Sequence, residues 1–203
     1  MCGISGIVNF NIKPNYIIAK EMNNELAHRG PDNNSYYEND FAIMGMARLK
    51  IIDLSDNSNQ PFVNKIKKVS VMYNGEIYNF KEIKKQFLND CEFNSEGDGE
   101  TILHLYCKYG INFIKLLKGM FSIAISDEAN NKFYLIRDRF GIKPLYYHFN
   151  QVKGELCYSS EIQSILKNPE IKKEANFNEI YYYLNNSMVN STNKTWFKNI
   201  NQV

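Results

Sequence analysis

Residues 1–10, MCGISGIVNF, carry a run from Cys2 to Phe10 that reads as a β-strand beginning at the second residue of the chain. Chain ends fray unless a sheet ties them down, so a strand placed this early predicts a buried start. Working outward, residues 16–27 put Ile17, Ile18, Met22 and Leu26 on one helical stripe. HRGPDNNS, from His28 to Ser35, is rich in turn formers and reads as a loop. Strand-like runs follow at 41–47, 49–54 and 69–74. A helix comes next, with Asn79 as its N-cap, Glu82 three residues on, and Phe80, Ile83 and Phe87 facing inward. A second helix spans 100–109 and stops at Gly110, a common residue just past a helix end. Four short β-type runs, 120–127, 132–137, 145–149 and 155–159, are separated by turn signals as in an antiparallel meander. Helical pieces near 161–167 and 176–185 close the chain. Strands in groups with helices beside them argue an α+β fold rather than a βαβ crossover fold. With no repeat and no low-complexity linker, residues 1–203 read as one domain.

Composition narrows the function classes. A chain of 203 residues can bury a real core. Its 44% apolar and 23% charged residues sit near the soluble globular averages. The net charge is +2, with Lys and Arg spread along the chain. The one basic run, Lys65 to Lys68, is short and reads as a solvated loop, so no nucleic-acid partner is expected. Cysteines stand at 2, 91, 107 and 157 without a CxxC pair, and His28, His104 and His148 lie far from them in sequence, so no metal site is expected. No apolar stretch approaches the roughly 18 residues of a membrane span. The N-terminus lacks a basic region followed by an apolar one. The expectation is a cytoplasmic, thiol-reduced protein with no membrane partner.

The chemistry is concentrated in a few places. Initiator methionine is normally trimmed when the next residue is small, and Cys2 qualifies. Trimming leaves one residue with both a thiol and a free α-amine. That amine titrates at about 7.7–8.0, so it can accept the thiol proton. The plainer reading is a small apolar residue at the start of a strand. Asn74-Gly75 follows an apolar run and is the commonest hairpin signal. Yet residues 77–87 read as helix, leaving no second hairpin strand. An Asn amide beside a Gly N–H can instead form an oxyanion hole, because glycine permits close approach. Arg48 lies inside the apolar run Met46 to Leu54, where its charge needs a partner and its fork suits a carboxylate. Asp98 opens a helix, where capping is the simple explanation. Singly, each residue has a structural reading.

Together they form a pattern. The ordered set MCGISGIV, HRGPDN, RLKIIDLS, NGEIYNF, GDGETILHLY, GMFSIAI, RDRFGIKPLYY and SSEI resembles the glutaminase domain of the asparagine synthetase family. That domain is a class II glutamine amidotransferase of the N-terminal-nucleophile hydrolase superfamily. The resemblance covers a core from residue 2 to about 166. It implies a four-layer αββα sandwich of two antiparallel sheets. It also implies that Cys2 is the nucleophile and that the Asn74 side chain and the Gly75 N–H hold the oxyanion. Arg48 would clamp the α-carboxylate of glutamine. Glu76 and Asp98 would receive its α-ammonium, helped by backbone groups from Leu49 to Ile52. No metal or organic cofactor is implied for this half. The sequence departs from the family at Met46, where His is usual, at Lys50, where Ser is common, and at Ser126, where Trp is common. None is a residue carried over. RDRFGIKPLYY is assigned no chemistry: Arg137, Asp138 and Arg139 read as holders of a buried turn marked by Gly141 and Pro144. His28 reads as a structural ligand to loop backbone.

Released ammonia becomes ammonium in neutral water and loses its nucleophilicity, so the domain is expected to pass it on while shielded. In the resembling family the acceptor site is an ATP-pyrophosphatase domain that adenylates aspartate with ATP and magnesium. This chain has no Ser-Gly-Gly-x-Asp-Ser loop and no Walker loop. Residues 167–203 read as a C-terminal helix and a lead-in to that synthetase domain, so the sequence is expected to be part of a longer synthetase. A homodimer stays open, as do three functional alternatives: ammonia supply to another acceptor such as a sugar, a silent glutamine-binding module, and an amidase with another substrate. Arg48 speaks against the last, because a simple amide has no α-carboxylate to clamp.

Overall fold

The computed structural model describes residues 1–187 and 192–203. Its first strand, β1 (Gly3–Asn9), is buried along its whole length. Successive residues of a strand face opposite sides, so β1 serves two layers. Ile4 and Val8 enter a core shared with Met44, Met46, Met72, Ala124 and Tyr158, which lies between two sheets. Ile7 joins a separate cluster with Ala19, Met22, Ile43 and Ile165 on the other side. Ala19 and Met22 come from α1 (Tyr16–Asn24).

After α1 the chain forms β2 (Asn33–Glu38), β3 (Ala42–Arg48), β4 (Phe62–Asn64) and β5 (Val69–Ile77). Two helices follow, α2 (Phe80–Phe87) and α3 (Gly99–Tyr109), then four strands: β6 (Gly119–Asp127), β7 (Lys132–Arg137), β8 (Tyr146–Asn150) and β9 (Glu155–Ser159). Helices α4 (Ile162–Ile165) and α5 (Phe177–Asn186) and a short β10 (Asn201–Gln202) end it. One sheet runs β10-β8-β9-β1-β3-β2 and the other β4-β5-β6-β7. Every pairing is antiparallel. The outer face of the second sheet packs Val71, Tyr73 and Ile123 against Ile83, Ile102 and Leu105 of α2 and α3. Helix, sheet, sheet, helix is the expected four-layer α+β arrangement.

Several local expectations differ from what forms. Residues 49–54 are not a strand. Their backbone groups are taken by side chains: Arg48 donates to the carbonyls of Asp53 at 2.5 Å and Ser55 at 2.9 Å, and Lys50 N–H donates to Asp32 at 2.8 Å. A segment whose groups are spent this way has no ladder to offer. β2 begins inside the turn-rich run: Asn33 pairs with Arg48, and the β3 partner outweighs local propensity. Helix α1 ends at Asn24, and Ile17 is 68% exposed rather than on the buried stripe. Buried Asn23 takes that face, bonding Asn34 at 2.6 Å, and a Cβ on Gly45 would come within 2.6 Å of it. Asn79 does not cap α2. Its amide instead bridges Leu116 O at 3.0 Å and Lys118 N at 2.9 Å. β4 and β10 are too short to leave a period in the sequence.

Candidate active site

Gly3 pairs with Ala47, so Cys2 lies beside the residues that leave β3. The Leu49 N–H donates to Cys2 Sγ at 3.3 Å, and Sγ stands 3.5 Å from Leu49 O. Arg29 Nε donates to Cys2 O at 2.9 Å, and its Nη1 pairs with Glu161 at 2.8 Å, which fixes the start of β1. Beside the sulfur is a cavity of about 70 Å³, several times what one water occupies by this measure. Cys2, Arg48, Leu49, Ile52, Gly75 and Asp98 all line it. They come from four separate stretches of sequence, around residues 2, 48–52, 75 and 98, which the fold brings to one end of the sandwich.

Arg48 is 5% exposed and donates to three neutral oxygens: Ser55 O, Asp53 O and Asn59 Oδ1. Among the described residues no carboxylate forms an ion pair with it. A buried cation without a counter-charge is costly, and here it borders an open cavity. Asp98 sits on another part of the wall. It precedes α3, yet its side chain makes no capping bond. Its Oδ2 instead accepts the Tyr73 hydroxyl and the Ile77 N–H, the latter at 2.7 Å. The capping explanation therefore gives way.

Asn74-Gly75 lies within β5, opposite Ser122 and Phe121, so it is not a hairpin turn. A Cβ on Gly75 would sit 2.7 Å from Phe121 Cα and 2.8 Å from the Tyr73 ring, which explains the glycine by packing. Asn74 is 1% exposed and its Nδ2 has no hydrogen-bond partner among the described residues. An orphaned buried donor of this kind calls for an acceptor. Neither Asn74 nor Glu76 lines the cavity beside Cys2, and Glu76 is half-buried.

Among the wall residues that sequence reading missed, Asp53, Gln60 and Tyr73 shape the site most. Asp53 accepts Ser58 Oγ at 2.7 Å, Ser55 N at 2.8 Å and Glu96 N at 2.9 Å. The Ser58 hydroxyl first, and Ser55 next, hold its carboxyl well below the usual range. Asp followed two residues later by Ser is the available signal. Gln60 bonds both backbone groups of Tyr73, and Tyr73 reaches Asp98. Neither carried a local pattern.

The remaining candidates are structural. All four cysteines are free. Burial pushes the Cys157 thiol up to about 12 and raises those of Cys91 and Cys107. Asp138 gathers the N–H groups of Phe121, Phe140, Ile142 and Lys143, and Arg137 holds the carbonyls of Gly141 and Lys143. The expected turn forms but is not buried: Phe140 is 85% exposed, Arg139 is exposed and takes no part, and only Asp138 and Lys143 are covered. Burial pushes Asp138 up, but its four N–H donors outweigh this and hold it low. His28 bonds the Glu161 carboxylate at 3.0 Å rather than loop backbone, because Arg29 has already drawn Glu161 to that side. Met46 is sealed in the inter-sheet core, Ser126 accepts from Asn39 at 2.8 Å, and Lys50 pairs with Asp56 at 2.9 Å. Among the described residues no group of three His, Cys, Asp or Glu could hold a metal ion, and no helix is long and apolar enough to cross a membrane.

Comparison with known proteins places this geometry. The glutamine-hydrolyzing asparagine synthetase 2 of Bacillus subtilis (strain 168) is 42% identical over 183 residues, 88% of this chain and 24% of that protein. The putative glutamine-hydrolyzing asparagine synthetase 2 of Methanocaldococcus jannaschii is 34% identical over 206 residues, 91% of this chain and 39% of that protein. The chain thus spans a quarter to two-fifths of the length of these relatives. The solved glutamine phosphoribosylpyrophosphate amidotransferase from Bacillus subtilis matches with a TM-score of 0.68 at 18% identity, over 81% of this chain and 43% of that one. At that identity the likeness speaks for the fold, that of the N-terminal-nucleophile hydrolases. A family model for the glutamine amidotransferase domain matches residues 1–203, and the chain belongs to that family.

Proposed function

We propose that Cys2, freed of Met1, hydrolyses the side-chain amide of glutamine to glutamate and ammonia. The observation that carries this reading is Arg48: a buried guanidinium beside the Cys2 cavity, bonded to three neutral oxygens and, among the described residues, ion-paired with no carboxylate. A free amino acid supplies the absent charge through its α-carboxylate. Asp98 and Glu76 take the α-ammonium, and backbone groups from Leu49 to Ile52 complete the grip.

The α-amine of Cys2 takes the thiol proton, and the thiolate attacks the amide carbon. The carbonyl oxygen becomes an oxyanion facing the Gly75 N–H and the Asn74 amide, whose donor is otherwise unpartnered. Collapse breaks the C–N bond, and the α-ammonium of Cys2 returns its proton to the leaving nitrogen, giving ammonia. Water then attacks the γ-glutamyl thioester, losing a proton to the amine, and the thiol is restored as glutamate leaves.

In the longer protein the ammonia goes to a synthetase domain that uses ATP and magnesium to make asparagine from aspartate, in the cytoplasm. The relatives' names and greater lengths support a further synthetase domain with asparagine as its product. Arg137 holds Gln202 at 2.9 Å, and Val203 N–H donates to Leu145 O, beside the turn that exposes Phe140 and Ile142. Lys143 of that turn contacts Met1 at 3.2 Å. A domain continuing from Val203 therefore meets the Cys2 end of the sandwich, where shielding is needed.

The test pairs the N-terminal mass of purified protein with glutamate release from glutamine. Protein lacking Met1 should release glutamate, and Cys2→Ala should release none while its circular dichroism is unchanged. Activity that survives Cys2→Ala, or that persists in protein retaining Met1, would overturn the mechanism. A processed, folded protein that binds glutamine without turnover would be a silent module.

A further inference from the structure

We infer that Tyr73 is a positioning residue for the substrate ammonium: its hydroxyl fixes Asp98 so that one carboxylate oxygen is left for the cavity. This rests on the reading of Asp98 given above and adds a residue to it. Tyr73 is 4% exposed, lines the cavity and directly precedes Asn74-Gly75 on β5. Its backbone is clamped on both sides by the Gln60 side chain, which accepts from Tyr73 N at 2.6 Å and donates to Tyr73 O at 2.9 Å. Its hydroxyl donates to Asp98 Oδ2, which also receives the Ile77 N–H. Two donors on one oxygen stop the carboxylate from turning. Oδ1 has no hydrogen-bond partner among the described residues, and Asp98 borders the cavity.

The ring lies against two glycines, which the β6 backbone and the Phe62 ring crowd more closely still. A Cβ on Gly75 would lie 2.8 Å from Tyr73 Cε2, and one on Gly99 would lie 3.2 Å from Tyr73 Cδ1. Tyr73 is therefore wedged between the Gly75 N–H, which faces the oxyanion, and the start of α3, which carries Asp98. One side chain sets the spacing between the reacting end of glutamine and its ammonium end. Burial, and then the neighbouring Asp98 charge, hold the phenol well above its ordinary pKa. It stays protonated at working pH, so it donates a hydrogen bond and moves no proton.

A space-filling tyrosine would predict a different result from a positioning one. The measurement is glutamate or glutarate release by the processed protein, with glutamine and with 4-carbamoylbutanoate, which is glutamine without its α-amino group. Tyr73→Phe keeps the ring and removes the hydroxyl. It should raise KM for glutamine about ten-fold, the usual effect of losing one hydrogen bond to a charged group. The value of kcat should stay within about two-fold, as should all parameters for the deaminated substrate. In an Asp98→Asn background the same change should add nothing to KM for glutamine. Equal losses on both substrates, or no loss on either, would overturn the role of Tyr73 alone. Absence of hydrolysis by the unsubstituted protein with both substrates would overturn the glutaminase reading and this inference with it. Thermal unfolding of each variant identifies one that has failed to fold; Tyr73→His, whose smaller ring fits between the two glycines, then takes the place of Tyr73→Phe in the same cycle with the same expected and overturning outcomes.

Discussion

Arg48 and Glu100 are each 5% exposed, yet the protein treats their charges in opposite ways. Glu100 lies in the first turn of α3, where the helix dipole favours a negative charge. It accepts the N–H groups of Asn94 and Ser95, the Asn94 amide and the Ser95 hydroxyl, and His104 stands 3.6 Å away. Arg48 has neutral oxygens on its flanks and an open cavity in front. A satisfied buried charge holds the loop 94–95 to a helix. An unsatisfied one beside a cavity is held ready for something that arrives. Burial alone does not separate structure from function; the completeness of the partner set does.

The widest separation between the two should appear on removing Arg48. Arg48→Met should cut kcat/KM for glutamine by about 10² to 10³, mostly through KM, as expected when one partner of a buried charge pair is truncated. Arg48→Lys, which keeps the charge and loses the fork, should fall between. With 4-aminobutanamide, which lacks the α-carboxylate, neither substitution should change kcat/KM by more than about two-fold. Equal losses on both substrates would place Arg48 beside Glu100 as a purely structural charge.

Glu100 should answer to pH instead. Burial pushes its carboxyl up, but the neighbouring His104 and the bonds from Ser95 and Asn94 outweigh this and bring it from the ordinary 4.5 down to about 2. A carboxylate depressed on folding gives stability that is complete above the unfolded value and is lost as pH falls through the folded one. Glu100 therefore contributes roughly 3 kcal/mol above pH 4.5, disappearing towards pH 2. Asp53 and Asp138 are depressed too and act in the same direction. Urea midpoints taken between pH 6 and pH 2.5 should drop more steeply for the unsubstituted protein than for Glu100→Gln. Parallel slopes would mean that the Glu100 bonds are not charge-assisted.

How much of this was legible beforehand depends on how local the signal is. β1 and β6 are legible because their apolar runs are largely buried on both faces, and β7, a half-buried edge strand, because turns bound it. The motif set led to Cys2, Arg48, Leu49, Ile52, Gly75 and Asp98, which do meet at one cavity. Tyr73 and Gln60 leave no local signal, because a tyrosine before Asn-Gly says nothing of a carboxylate 25 residues further on, and Asp53 offers only its spacing to Ser55. β2 was read as loop because Asn33, Asn34 and Ser35 favour turns, and only the pairing with β3 makes them a strand. The opposite error, a strand at 49–54, arose from counting Ile51, Ile52 and Leu54 as core.

That error gives the smallest effect and a clean test of the comparison. Ile51 is 67% exposed and Leu54 is 68% exposed, so neither contributes appreciable burial. What shapes the segment is the Arg48 fork on Asp53 O and Ser55 O together with the Asp53 carboxylate on Ser55 N and Ser58 Oγ. Leu54→Ser should therefore change stability by less than about 0.5 kcal/mol, the range for a surface site without special contacts. A core position of a strand would lose about 2–5 kcal/mol on a comparable truncation. Chemical unfolding of this one variant distinguishes the two, and a loss above about 2 kcal/mol would restore the strand. The expected near-zero result would mean that the loop forming one wall of the cavity is held from inside by polar groups, while its apolar side chains stay free to meet whatever covers the site.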